Sequence, residues 1–146
     1  MNIYIATDHA GFAIKQDVIN ILKSLKYDVI DLGPLDSGRV DYPDYAHKLC
    51  KKVLTDKDSQ GVLICGTGIG MSLAANKHIG IRAALCQDPY TAKMAREHND
   101  ANVLCFGQRV VGLGMIESIL QTWSRAKFEG GRHSQRVEKI ECSHNG

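Results

Sequence analysis

Gly61-Val62-Leu63-Ile64-Cys65-Gly66-Thr67-Gly68-Ile69-Gly70-Met71-Ser72 is the stretch from which the fold can be read. Val62 to Ile64 is a short apolar run of the kind that forms a strand buried on both faces. A glycine-rich turn follows, and Met71-Ser72-Leu73-Ala74-Ala75-Asn76 can open a helix. Glycines let backbone N–H groups approach an anion closely, and a helix N-terminus adds a favourable dipole. Cys65 stands at the mouth of that cradle, where a negative sulfur is favoured, so the stretch suggests a nucleophile or base beside an anion hole. Two other phosphate motifs fit less well. The dinucleotide fingerprint asks for a glycine where Met71 stands, although Gly66 and Gly68 match it. The Walker loop requires a Lys-Ser or Lys-Thr that is absent after the glycines. The plainest alternative is a tight strand-to-helix turn that happens to bury a cysteine.

The same strand–turn–helix alternation recurs on both sides. Ile3 to Ala6 reads as a strand that runs into Thr7-Asp8-His9-Ala10-Gly11, followed by a helix with Ile14, Val18, Ile21, Leu22 and Leu25 at helical spacing. Tyr27 to Leu32 is a second strand, Gly33 to Gly38 a loop, and a helix from near Pro43 carries Ala46, Leu49, Cys50, Val53 and Leu54 on one face, with Tyr42 just ahead of it. Ile81 to Cys86 is a fourth strand. Asp88 is its helix N-cap with Pro89 in the first turn, a role that removes Asp88 as a ribose ligand. That helix closes on Arg96-Glu97-His98-Asn99-Asp100, where the dipole favours a protonated histidine. Val103 to Phe106 is the fifth strand, then Gly107-Gln108-Arg109 and a long helix to about Ala126. A last helix begins near Gly130, with Arg132 and Arg136 on one face.

Five β–α units in alternation predict an α/β fold: a doubly wound, Rossmann-like, five-stranded parallel sheet with helices on both faces, in three α/β/α layers. Ligands of such sheets bind at the carboxyl ends of the strands. Asp8, His9, Cys65 to Gly70, Gln87 and Arg109 would gather there. A base, an amide-lined oxyanion hole and histidine proton carriers are what a carbon acid beside a carbonyl needs. The arginine pair suits a dianionic phosphate.

Composition narrows the remaining classes. The 146 residues are 44% hydrophobic and 23% charged with a formal net charge of +2, so neither nucleic acid nor a membrane surface is expected as a partner. No apolar run approaches a membrane span, and no leader pattern precedes Ile3. The five cysteines are odd in number and scattered, which argues against a disulfide framework or a zinc site. Cys50 and Cys105 fall on apolar faces as core residues. A reduced, cytoplasmic setting is the expectation.

Asp8-His9-Ala10-Gly11-Phe12, Asp41-Tyr42-Pro43, Cys65 to Gly70, Ala74-Ala75-Asn76-Lys77, Arg96 to Asp100, Asn102-Val103-Leu104, Gly107 to Gly112 and Glu129 to His133 with Arg136 together resemble type B ribose-5-phosphate isomerases. The same superfamily includes galactose-6-phosphate isomerase subunits and an allose-6-phosphate isomerase. The resemblance implies one sugar-phosphate isomerase domain over residues 1–146, with 130–146 as a C-terminal helix and tail. It implies interconversion of ribose 5-phosphate and ribulose 5-phosphate without metal or organic cofactor. Cys65 matches the base that removes the C2 proton. Thr67 and the amides of Gly66, Gly68, Ile69 and Gly70 match the enediolate hole. His98 matches the ring-opening residue, with Asp8 as a partner in proton handling. His9, Arg109, Arg132 and Arg136 match phosphate contacts, Asn99 a sugar contact, and Tyr42 lies where it could face the site. One branch carries a glutamate at the position of Met71; with Cys65 and Met71 this chain resembles the cysteine branch. A homodimer or tetramer with sites shared between subunits is implied as well. The alternatives are a six-carbon sugar-phosphate isomerase and a non-catalytic sugar-phosphate sensor on the same fold.

Overall fold

A computed structural model describes residues 1–141, so the tail expected at 142–146 lies outside the described residues. The elements follow the alternation of the sequence: β1 (Asn2–Thr7), α1 (Phe12–Ser24), β2 (Asp28–Asp31), α2 (Tyr42–Thr55), β3 (Gln60–Cys65), α3 (Ile69–Ala75), β4 (Ala83–Leu85), α4 (Pro89–Glu97), β5 (Val103–Gly107), α5 (Leu113–Arg125) and α6 (Arg132–Ile140). The five strands form one sheet in the order β2-β1-β3-β5-β4, and every neighbouring pair is parallel. The expected α/β architecture is what the chain adopts.

Why the central strands look as they do follows from their surroundings. β3 and β5 are buried along their whole length, so neither shows polar alternation. One face of the sheet packs Ile3, Ile5, Val62, Ile64, Leu104 and Phe106 against α1, α4 and α5, with Trp123 beneath. The opposite face packs Tyr4, Ala6, Leu63 and Cys105 against Ala46, Leu49 and Val53 of α2 and against Met71 and Ala75 of α3. Trp123 is 1% exposed and donates its indole N–H to Gln60 Oε1 at 3.0 Å, which satisfies the one polar atom of the largest core side chain.

Some boundaries differ from the sequence reading. β4 is half the expected length because Ile81 and Arg82 are held outside the ladder: Arg82 N–H bonds Asn102 Oδ1 at 2.8 Å, and Ile81 N–H bonds His78 O at 3.1 Å. Tyr42 is the first residue of α2 rather than a residue ahead of it, with Asp41 as the cap. α3 begins two residues early, at Ile69, because Gly68 takes a left-handed conformation (φ 80°) that starts the helix. β4 is an edge strand, and the Asn76 side chain covers it: Nδ2 donates to Ala83 O at 2.9 Å and Oδ1 accepts from Ala83 N–H at 2.8 Å.

The chain turns outward in opposite directions after β1 and β3: β1 leads to β2 on one side, and β3 leads past β5 to β4 on the other. A crevice must open between their carboxyl ends. There the backbones touch. A Cβ on Gly11 would lie 2.5 Å from Ile64 O. Gly11→Ala should therefore cost roughly 2 kcal/mol in urea unfolding. Gly114→Ala, at a position on α5 with nothing within 4 Å, should gain about 0.5 kcal/mol.

Candidate active site

The crevice gathers ten of the sequence-predicted residues: Asp8, His9, Tyr42, Cys65, Gly66, Thr67, Gly68, Ile69, Gly70 and Arg109. Cys65 ends β3 and is 5% exposed. Its Sγ accepts a hydrogen bond from the Gly68 N–H at 3.1 Å. The bond fixes the side from which the loop's amide meets the sulfur. The other three described cysteines differ in chemistry. Burial pushes Cys50 up to about 12 and Cys86 up to about 11, and carries Cys105 well above its ordinary value, so all three stay thiols.

The loop after Cys65 is tightly packed. Thr67 Oγ1 accepts the Ile69 N–H at 3.2 Å, which leaves the hydroxyl hydrogen free to donate elsewhere. The Tyr42 ring lies over Gly70, so close that a Cβ there would fall 2.7 Å from it. Gly66 has the Arg109 guanidinium beside it, 3.3 Å from where a Cβ would stand. On the other side of the crevice, Asp8 is buried, gives its N–H to Ile64 O at 3.2 Å and accepts the Gly11 N–H on Oδ1 at 2.9 Å. His9 Nδ1 accepts the Val40 N–H at 3.3 Å, which leaves the ring proton on Nε2 as a donor.

His98, Asn99, Arg132 and Arg136 lie elsewhere. α4 starts above the carboxyl end of β4 and runs back, so its end sits at the amino edge of the sheet. The Asn99 and Asp100 carbonyls accept from the Arg82 guanidinium there, just ahead of β4. The length of β5 separates this edge from Cys65, about 16 Å at the usual rise per residue. His98 caps α4, and its Nε2 is 3.6 Å from Glu129 Oε1. The ring of His133 stacks on His98 with centroids 4.2 Å apart and planes 14° from parallel. Arg132 opens α6, Arg136 lies one turn further along it, and both are exposed.

His133, buried at 6% exposure, and Glu129 had no role in the sequence reading. The available signal was the spacing of His133 and Val137, one turn apart on the inward face of α6. His98, Glu129 and His133 each bring a donor atom within 4.8 Å of the others. Because the imidazoles lie flat on one another, their in-plane lone pairs run side by side instead of converging on one ion. The trio suits proton handling better than metal binding.

The profile of the Ribose/Galactose Isomerase family matches residues 3–140. The chain belongs to the ribose/galactose isomerase family. It is 50% identical over 133 residues to the ribose-5-phosphate isomerase B of Escherichia coli, covering 91% of this chain and 89% of that protein. Among solved structures it is similar to the Clostridium thermocellum ribose-5-phosphate isomerase B, with a TM-score of 0.92, 50% identity and 96% and 95% of the two chains covered. The type B ribose 5-phosphate isomerase of Trypanosoma cruzi gives a TM-score of 0.93 at 45% identity, over 96% and 95% of the chains. As a member of this family the chain is an isomerase of sugar phosphates, and among the described residues no helix is long and apolar enough to cross a membrane.

The stacked histidines make stability depend on pH. Burial, then the neighbouring His98, lowers the affinity of His133 for a proton below the ordinary imidazole value, and Arg132 and Arg136 act in the same direction against Glu129. The unfolded chain therefore binds this proton more readily than the folded one. Stability should be intact above the ordinary value of about 6.5 and fall as the pH drops through it. Urea midpoints measured at about pH 7.5 and about pH 5.5 should show this loss, and His133→Gln should reduce it.

Proposed function

We propose that this protein interconverts ribose 5-phosphate and ribulose 5-phosphate, with Cys65 as the base. The observation that carries the reading is the buried sulfur at the sheet crevice, with the Gly68 N–H directed at it from an amide-lined loop. The thiolate takes the C2 proton of the open-chain aldose. The electron pair moves into the C1–C2 bond, and the carbonyl oxygen becomes an oxyanion held by Thr67 and the loop amides. The thiol then returns the proton to C1, and a proton passes between the two oxygens to leave the ketose. No net atom is gained or lost. His98 opens the furanose ring first, giving a proton to the ring oxygen while Asp8 assists at the anomeric hydroxyl. Tyr42 covers the loop side of the sugar and Asn99 binds a hydroxyl.

We infer further that each site is completed by a second copy of the chain. The supporting fact is the separation of the two clusters at opposite edges of one sheet, which no side-chain rotation spans. A two-fold dimer would bring His98, Asn99, Arg132 and Arg136 of one subunit over the crevice of the other. There the two arginines, Arg109 and His9 would surround the phosphate dianion with paired hydrogen bonds. Four described cysteines are free, in keeping with a reducing, cytoplasmic setting. Pentose is preferred over hexose in this reading, which a coupled assay on ribose 5-phosphate, allose 6-phosphate and galactose 6-phosphate decides.

Cys65→Ser should reduce exchange of the C2 proton with solvent by a factor of roughly 100 to 10,000, with substrate binding largely kept. Near-normal exchange would sink the base assignment. Mixing Cys65→Ser with His98→Ala subunits tests the shared site. Random reassortment makes about half of the dimers hybrids with one intact site of two, so about a quarter of wild-type activity should return. No recovery would mean that each site lies within one subunit.

A further inference from the structure

Gln87, just beyond β4, spans two strands away from its own. Its Nε2 donates to Thr67 O at 3.1 Å, and its Oε1 accepts the Gly107 N–H at 3.1 Å. These partners fix which end of the amide is which, since a carbonyl needs a donor and an N–H an acceptor.

Thr67 C=O and Gly68 N–H belong to one planar peptide unit. One end of that plane is held by Gln87, and the other end donates to Cys65 Sγ at 3.1 Å. A rotation of the plane would turn the carbonyl oxygen toward the sulfur and the N–H away from it. The following residue is glycine at φ 80°, which has no Cβ to resist the rotation. Gly68 cannot acquire one either, because a Cβ would lie 2.6 Å from Leu85 Cδ1 and 2.7 Å from the Phe106 carbonyl carbon. The bond from Gln87 is the one that holds the carbonyl end of this peptide from outside the loop.

We propose that Gln87 is a positioning residue that locks the Thr67–Gly68 peptide with its N–H toward Cys65. The inference deepens the reading of Cys65 as base and rests on it for its catalytic consequence, but its structural content concerns the sulfur alone. Gln87 acts through the peptide, and both of its bonds go to backbone atoms.

Two variants and two readouts test this. Gln87→Met keeps the side-chain length and removes both polar contacts, whereas Gln87→His keeps one donor and one acceptor nitrogen at similar reach. The first readout is the rate of iodoacetamide alkylation at fixed neutral pH, followed on the Cys65 peptide by mass spectrometry. The second is kcat against KM for ribose 5-phosphate. Gln87→Met should slow alkylation and lower kcat, each roughly tenfold, with KM within about twofold. Gln87→His should return both to within about threefold of wild type. A folded Met variant that alkylates at the wild-type rate overturns the proposal. So does a rise in KM with kcat unchanged, which would place Gln87 on the substrate. If the Met variant does not fold, Gln87→Leu, which also removes both polar contacts, decides: tenfold losses support the lock and wild-type rates overturn it. Wild-type protein without isomerase activity would sink the base assignment and leave the alkylation arm to judge Gln87 by itself.

Discussion

Three strand ends meet in this protein with no room for a side chain between them. A Cβ at Gly107 would lie 2.5 Å from Gly66 O and from Thr67 backbone atoms, and Gly11 is as close to Ile64 O. That backbone contact brings the loops after β1, β3 and β5 to one place. It sets the Gln108 N–H on Cys65 O at 2.9 Å and the Arg109 N–H on Gly66 O at 3.0 Å, so the reactive loop is hung from its neighbour by main-chain bonds. Side chains of ordinary size would wedge the loops apart and widen the crevice between them.

The division into two edges follows from the same topology. A helix between parallel strands starts at the carboxyl edge and must end at the amino edge, so residues that begin helices and residues that end them are held apart. Cys65, Asp8 and Arg109 are of the first kind, and His98 and Asn99 of the second. Placing Cys65 and His98 on opposite edges gives each its own electrostatic surroundings. Amides and a helix start face the sulfur, while a helix end and Glu129 face the histidine.

Much of this was legible in the sequence, and what was not has a physical reason. Strand burial, the alternation and the Asp88 cap, whose Oδ1 accepts the Thr91 N–H at 2.7 Å, all follow from local pattern. The arginine pair on α6 did as well. The roles of Gln87, Asn76 and Glu129 did not, because each joins backbone or side chains distant in the chain, and only the strand order makes them neighbours. His133 was hidden for another reason: it occupies an inward position on a helix otherwise rich in charge, where a polar residue reads as surface. The short β4 was misjudged because Arg82 and Asn102 divert backbone groups that the apolar pattern assigns to a ladder.

The side chain of Asn76 has a consequence beyond its local bonds. In a parallel strand alternate residues turn their N–H and C=O toward one neighbour, and in β4 it is Ala83 and Leu85 that point away from β5. Asn76 imitates a passing strand and occupies both groups of Ala83. Another chain seeking to lengthen the sheet would find a single residue's worth of open ladder, too little to hold it in register. The β4 edge is thereby closed to edge-to-edge stacking, the route to fibrous aggregates.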